Sequence, residues 1–166
     1  MTRRLSFAAA LAAGCAYQPA SFHHPFQDFP GTRLTVGCLD IAVELAREPR
    51  ADGPVLGYTI GNRCDRVALV DLGAIVVDGT TLAGRPARLV PYDPDRELRP
   101  LWLEVRSVAR EQIEYRDPGG DRLQHGVCAA VGDIAGVSAG GSDPRWLCFE
   151  RPAAPGMIGA GTRGAS

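Results

Sequence analysis

The chain contains no lysine: all 18 of its basic side chains are arginine. Arginine-only usage beside this much Ala, Gly and Pro is the mark of a GC-rich genome, and no chemistry is read from it. It does remove the P-loop reading of Gly57, Gly61 and Gly73, because no helix start with Lys-Ser/Thr follows them; bulges and turns explain these glycines better. No apolar run approaches the roughly 18 residues of a membrane-spanning helix. No Cys-x-x-Cys pair is present, which argues against zinc. No segment carries a helical stripe over about 11 residues, which argues against a helical bundle. Ser138 to Ser142 mixes Gly and Ser but is not Gly-x-Ser-x-Gly after a buried strand, so nucleophilic catalysis is not expected. Net charge is small, 18 basic against 19 acidic side chains, and a mildly acidic surface argues against nucleic acid as a partner.

Five cysteines are present. The first, Cys15, ends a segment with a positive start (Arg3, Arg4), a short apolar stretch (Leu5 to Ala13) and small residues before the cysteine, the order of a secretory signal. The segment resembles a bacterial lipoprotein signal peptide, with Ala12 where such signals usually carry Leu. The resemblance implies cleavage before Cys15, a diacylglyceryl group on its thiol, and an oxidising compartment in which Cys38, Cys64, Cys128 and Cys148 pair. Two rival readings are an ordinary secreted protein that keeps Cys15 as a free thiol, and twin-arginine export through Thr2-Arg3-Arg4-Leu5-Ser6-Phe7. Ala16 after the cysteine resembles the arrangement that routes lipoproteins to the outer membrane. Taking Arg3 and Arg4 from the 18 basic residues leaves 16 against 19 acidic, a net charge of −3.

The expected organisation is a signal over 1–14, a lipidated N-terminus and tether over 15–31, one folded domain over 32–151 and a disordered tail over 152–166, rich in Gly, Ala and Pro. Three phenylalanines (Phe22, Phe26, Phe29) are many for a solvated tether, so part of it is expected to lie on the domain or at lipid headgroups. Leu34, Val36 and Cys38 alternate, then Leu39, Ile41, Val43 and Leu45 continue on the opposite parity, which predicts a bulge at Gly37-Cys38. Further strands are expected at Val55 to Ile60, Val67 to Val77 (one bent strand or two), Ala87 to Val90, Leu101 to Arg106, Glu111 to Arg116, Gly126 to Val131 and Trp146 to Phe149. Asp40 to Arg47 reads as strand rather than short helix.

Seven to nine short strands with turns at intervals of about ten residues predict an all-β antiparallel sandwich. The stretch Gly53 to Gly79, with its Asn62-Arg-Cys-Asp65 corner, resembles an immunoglobulin-like β-sandwich module of exported bacterial proteins. That resemblance implies a fold and no activity. Four cysteines allow three pairings. A hairpin of Val36 to Leu45 with Val55 to Cys64 would set Cys38 and Cys64 near facing positions, and Cys128 and Cys148 flank a Gly-rich loop, so these two pairs are expected.

Candidate chemistry is sparse. His23-His24 with Asp28 nearby, and His125 before a strand, read as solvated or turn histidines. Asp93, Asp95 and Glu97 alternate in a calcium-like spacing but lack the glycine and distal glutamate of a calcium loop, and Arg96 and Arg99 can neutralise them. Neither metal nor cofactor is expected. Trp102 points opposite to Leu101 and Leu103, and with Tyr92 in the Pro91 to Pro100 loop it is the expected partner contact. Trp146 is expected to pack on the second disulfide. The reading that results is a lipid-anchored protein of the outer membrane or periplasm, held by lipid on Cys15. It would be a non-enzymatic binding or assembly module for an envelope protein partner. The alternatives are a small extracytoplasmic hydrolase or carbohydrate-binding domain, which predicts a concave pocket with convergent carboxylates or histidines, and a protease-inhibitor-like sandwich presenting Arg85 to Arg99.

Overall fold

The computed structural model describes residues 17–46, 52–132, 134 and 145–149, apart from the side chains of Gln124 and His125. Cys15, the signal segment, the Ser138 to Ser142 loop and the tail lie outside the described residues.

Among the described residues ten antiparallel strands form: β1 (Thr32–Val36), β2 (Leu39–Ala46), β3 (Val55–Asn62), β4 (Ala68–Val70), β5 (Val76–Thr81), β6 (Pro86–Pro91), β7 (Leu101–Leu103), β8 (Val108–Arg116), β9 (Leu123–Ala130) and β10 (Trp146–Phe149). One short helix, α1 (Pro94–Glu97), follows β6. Two of these strands arise where one was expected. The parity change at Gly37-Cys38 is a two-residue hairpin turn and not a bulge, with Val36 facing Leu39 across β1 and β2. Gly37 alone carries the positive φ (56°), the glycine-first arrangement of a II′ turn, whose twist suits the flanking strands. Of the one bent strand or two expected over Val67 to Val77, the structure has two, β4 and β5, separated where Asp71 Oδ1 accepts from the Gly73 amide and starts a 3-10 turn over Leu72–Ala74.

Eight strands run in the order β1-β2-β3-β8-β6-β5-β9-β10, and β4 pairs separately with β7. The long hairpin β2-β3 aligns from Leu39 opposite Asn62 to Ala46 opposite Val55. Between β6 and β8 only Val90 with Arg116 and Pro91 with Tyr115 pair, the shortest link in the eight-stranded sheet, with four strands on either side of it. Its far ends approach each other: Arg145, just before β10, donates to the Thr35 carbonyl oxygen in β1.

One core fills the interior. Ile41, Val43, Leu56, Tyr58, Ile60, Ile113 and Tyr115 meet Val77, Leu89, Val127 and Ala129, with Val70, Leu72 and Leu103 closing one side. Each such aliphatic side chain stabilises the fold by about 1.5–3 kcal/mol relative to exposure. The cost of strand edges at β1 and β10 is limited by their shortness.

The other face of β2 and β3 is covered as well. Tyr17, Phe29 and Ala42 form a second buried cluster with Phe22 and Val108 against it. Tyr17 and Phe29 stack at 5.4 Å, and Phe22 meets Phe29 edge-on at 5.8 Å. Residues 17–30 are thus laid on the sheet rather than extended from it, and every residue of β3 is buried.

Candidate interaction surface and its buried supports

Asp40 is buried beneath the N-terminal segment and collects its polar groups. Tyr17 Oη donates to Asp40 Oδ2, as does the Ala20 amide at 2.7 Å, while Thr35 Oγ1 donates to Oδ1 at 2.9 Å. Arg63 Nε lies 3.4 Å from Oδ1, an ion pair whose geometry is not that of a hydrogen bond, so Nε is buried without one. Burial pushes the Tyr17 phenol well above its ordinary range, and the hydrogen bond to Asp40 and its charge add to this, while Arg63 opposes. No open face of Asp40 is left for a substrate; the cluster fastens residues 17–30 to the domain.

Asn62 supports the opposite side of the same end. Its Nδ2 donates to the carbonyl oxygens of Arg66 (2.9 Å), Leu103 (2.9 Å) and Glu104 (3.0 Å), and its Oδ1 accepts from the Cys64 amide at 2.7 Å. Two amide hydrogens serve three carbonyls, so one is shared. The asparagine of the Asn-x-x-Asp corner therefore ties β3 to the end of β7 and to the corner itself. Beside it the Cys38–Cys64 disulfide closes with Cα atoms 5.2 Å apart. Cys128 and Cys148 face each other directly in the β9-β10 pairing and form the second disulfide. Both expected pairings are present.

The β4-β7 pair carries the main exposed apolar feature. Trp102 points opposite to Leu101 and Leu103, as the alternation predicted, and it is the two leucines that turn inward, leaving Trp102 71% exposed. Leu69, 46% exposed, stands directly opposite Trp102 across the pair, and Val67 and Val105 extend the patch at its margins. Asn62 anchors the carbonyl of Leu103 beneath it, so the patch sits on a fixed backbone. Trp146, 42% exposed, shares the outward face of β10 with Cys148 two residues on.

Tyr92, 51% exposed, is elsewhere: it lines a cleft of about 210 Å³ with Asp52, Arg116, Asp117, Pro118 and Asp121. The Arg116 guanidinium lies 5.3 Å over the Tyr92 ring. Asp121 pairs with Arg85, and Asp117 Oδ2 accepts from the Asp121 amide at 3.0 Å. β8 begins beside the Tyr17 and Asn62 end and finishes at Arg116, so Trp102 and Tyr92 mark opposite ends of a strand about 26 Å long.

The acidic loop has a local role. Asp93 Oδ1 accepts from the Arg96 amide at the start of α1, while Glu97 Oε2 accepts from the Asp93 amide and Oε1 from the Glu114 amide. This is a helix cap that docks on β8. His24 Nδ1 accepts from the Phe26 amide at 3.2 Å, and His23, His24 and Asp28 line a shallow depression on the N-terminal segment. Among the described residues no three His, Cys, Asp or Glu side chains are grouped to hold a metal, and no helix is long and apolar enough to cross a membrane. Searches with protein-family models, curated protein sequences and solved structures return no significant match to this chain.

Proposed function

We propose that the protein is a lipid-anchored module of the bacterial cell envelope, an immunoglobulin-like β-sandwich that binds or assembles with another envelope component and carries out no catalysis. The two-residue β6-β8 pairing, with four strands on either side of it around one core, supports the sandwich description. Two disulfides support a life in an oxidising compartment outside the cytoplasm. The observation that carries the binding reading is Trp102 with Leu69: two large apolar side chains held toward solvent on a hydrogen-bonded strand pair.

The hydrolase or carbohydrate-binding alternative would use the Tyr92 cleft. Its aromatic face is covered by Arg116, and Asp121 is neutralised by Arg85. In cells of a bacterium that makes this protein, a photo-crosslinking residue placed at position 102 or 92 tests the binding reading. A discrete adduct with an envelope component at either position supports it; a monomer free of adducts from both positions, in correctly oxidised protein, overturns it.

A further inference from the structure

Tyr17, the first of the described residues, is held firmly on the domain. Its amide donates to the Arg106 carbonyl oxygen at 3.0 Å. Its ring lies on Gly61, where an added Cβ would come within 2.6 Å of ring carbons, and its hydroxyl is held by Asp40. Only Ala16 separates Tyr17 from Cys15, and two residues of extended chain reach at most about 7 Å. A lipid on Cys15 would therefore hold the Arg106 turn close to the membrane.

The side chains around that turn are those a membrane interface accepts. Val105 precedes Arg106, and Trp102 is four residues away, at most about 14 Å of chain. Leu69 and Val67 adjoin Trp102 on the β4-β7 pair, and all four are exposed. An indole with an apolar body and one N–H is favoured at the depth of lipid headgroups. Arg66 and Arg106 are exposed beside the patch and can reach phosphate oxygens along their apolar stems, while Asp65 and Glu104, exposed nearby, balance their charge.

We propose that the face formed by Val67, Leu69, Trp102 and Val105 rests in the headgroup layer of the same phospholipid bilayer that receives the Cys15 lipid, so that the domain is docked at two points and the Tyr92 end faces away from the membrane. This rests on the lipid-anchor reading above, and it makes the bilayer the envelope component that the Trp102 patch meets, leaving the Tyr92 end for any protein partner. Contact comes from apolar side chains rather than net charge, so it persists at high salt.

The test uses the full chain with Trp146→Phe, which leaves Trp102 as the sole tryptophan, and the reciprocal Trp102→Phe. Each is made with its native N-terminus and reconstituted into vesicles of phosphatidylethanolamine and phosphatidylglycerol that carry bromine- or nitroxide-labelled lipid at defined depths. Intact mass reports separately whether Cys15 is acylated. If it is not, the anchor reading fails on its own, and Cys15 of the same chain, outside both disulfides, is coupled to a maleimide-bearing phospholipid in the vesicle so that contact is still measured. The expected result is a blue-shifted Trp102 emission that shallow lipid labels quench at least about twofold more deeply than Trp146. Trp102 left unquenched while Cys15 is held in the bilayer overturns the proposal. A blue shift without lipid quenching overturns it too, and places protein, a second copy or another partner, on the patch.

Discussion

Replacing Asn62 should be among the most damaging single changes in the domain. Asn62→Ala deletes four hydrogen bonds at once, three to carbonyl oxygens and one from the Cys64 amide. At about 1 kcal/mol per bond, with an added penalty for the Leu103 carbonyl left buried and unpaired, the loss is about 3–5 kcal/mol. For a domain of this size that lowers Tm by about 10–20 °C. Asn62→Asp retains an acceptor for the Cys64 amide but turns a carboxylate oxygen toward three carbonyl oxygens. It should be destabilised at neutral pH and should recover relative to the parent as pH falls, completely by about pH 4, because burial among carbonyl oxygens raises its folded-state pKa and the protonated carboxyl can donate one hydrogen bond. Denaturant unfolding of oxidised protein, followed by circular dichroism and by Trp102 emission, measures both. Because Asn62 holds the end of β7, Trp102 should report the change before the bulk of the sheet does. A loss under about 1 kcal/mol for Asn62→Ala, or no acid recovery for Asn62→Asp, would refute the reasoning.

Alkaline stability should follow the buried phenols. Tyr58 and Tyr115 hydroxyls meet at 3.0 Å in the core, and burial is the main cause that pushes Tyr115 up to about 12 and raises Tyr58 as well. Raised folded-state values mean that this stability is complete below pH of about 10, where the unfolded tyrosine titrates, and is lost as pH rises toward 12. Tyrosinate absorbance and loss of β circular dichroism should then rise together over that window. Tyr17→Phe removes one bond to a carboxylate and should cost about 1–3 kcal/mol, while Asp40→Ala strands Tyr17, the Ala20 amide and the Arg63 charge and should cost about 3–5 kcal/mol, with proteolysis opening first within residues 17–30. Removing Cys128–Cys148, which spans 20 residues, should cost about 3 kcal/mol and release edge strand β10, so that its amides exchange and aggregation increases; removing Cys38–Cys64 should cost a similar amount without freeing a strand.

The strand pattern was legible because one face of each strand is apolar at period 2. The alternation of Leu39, Ile41, Val43 and Leu45 marked one core face of β2, the expected hairpin set Cys38 near Cys64, and the Gly-rich loop between Cys128 and Cys148 suggested the second pair. What the pattern hid was non-local or short. A II′ turn and a bulge shift parity in the same way, so Gly37-Cys38 read as the second. Asp40 looked like the polar side of a strand, because nothing local announces that Tyr17, 23 residues earlier, folds over it. The aromatic count of Phe22, Phe26 and Phe29 was the available signal that this segment is not a free tether, and Phe29 and Phe22 do pack. Alternate carboxylates at Asp93, Asp95 and Glu97 suit a helix cap as well as a cation, and only the amides of Arg96, Asp93 and Glu114 distinguish the two. That Trp102 opposes Leu101 and Leu103 was legible; its proximity to Tyr17 was not, since that depends on the Tyr17 amide meeting the Arg106 carbonyl.

The central claim, an exported chain held by lipid on Cys15 and stapled by two disulfides, is tested most directly by intact mass. Protein made with its native N-terminus is extracted from membranes and alkylated with and without prior reduction. The account predicts a chain beginning at Cys15 with an acylated N-terminus, whose other four cysteines alkylate only after reduction. A chain that retains Met1 to Gly14 without acylation and alkylates at Cys38, Cys64, Cys128 and Cys148 before reduction would contradict it.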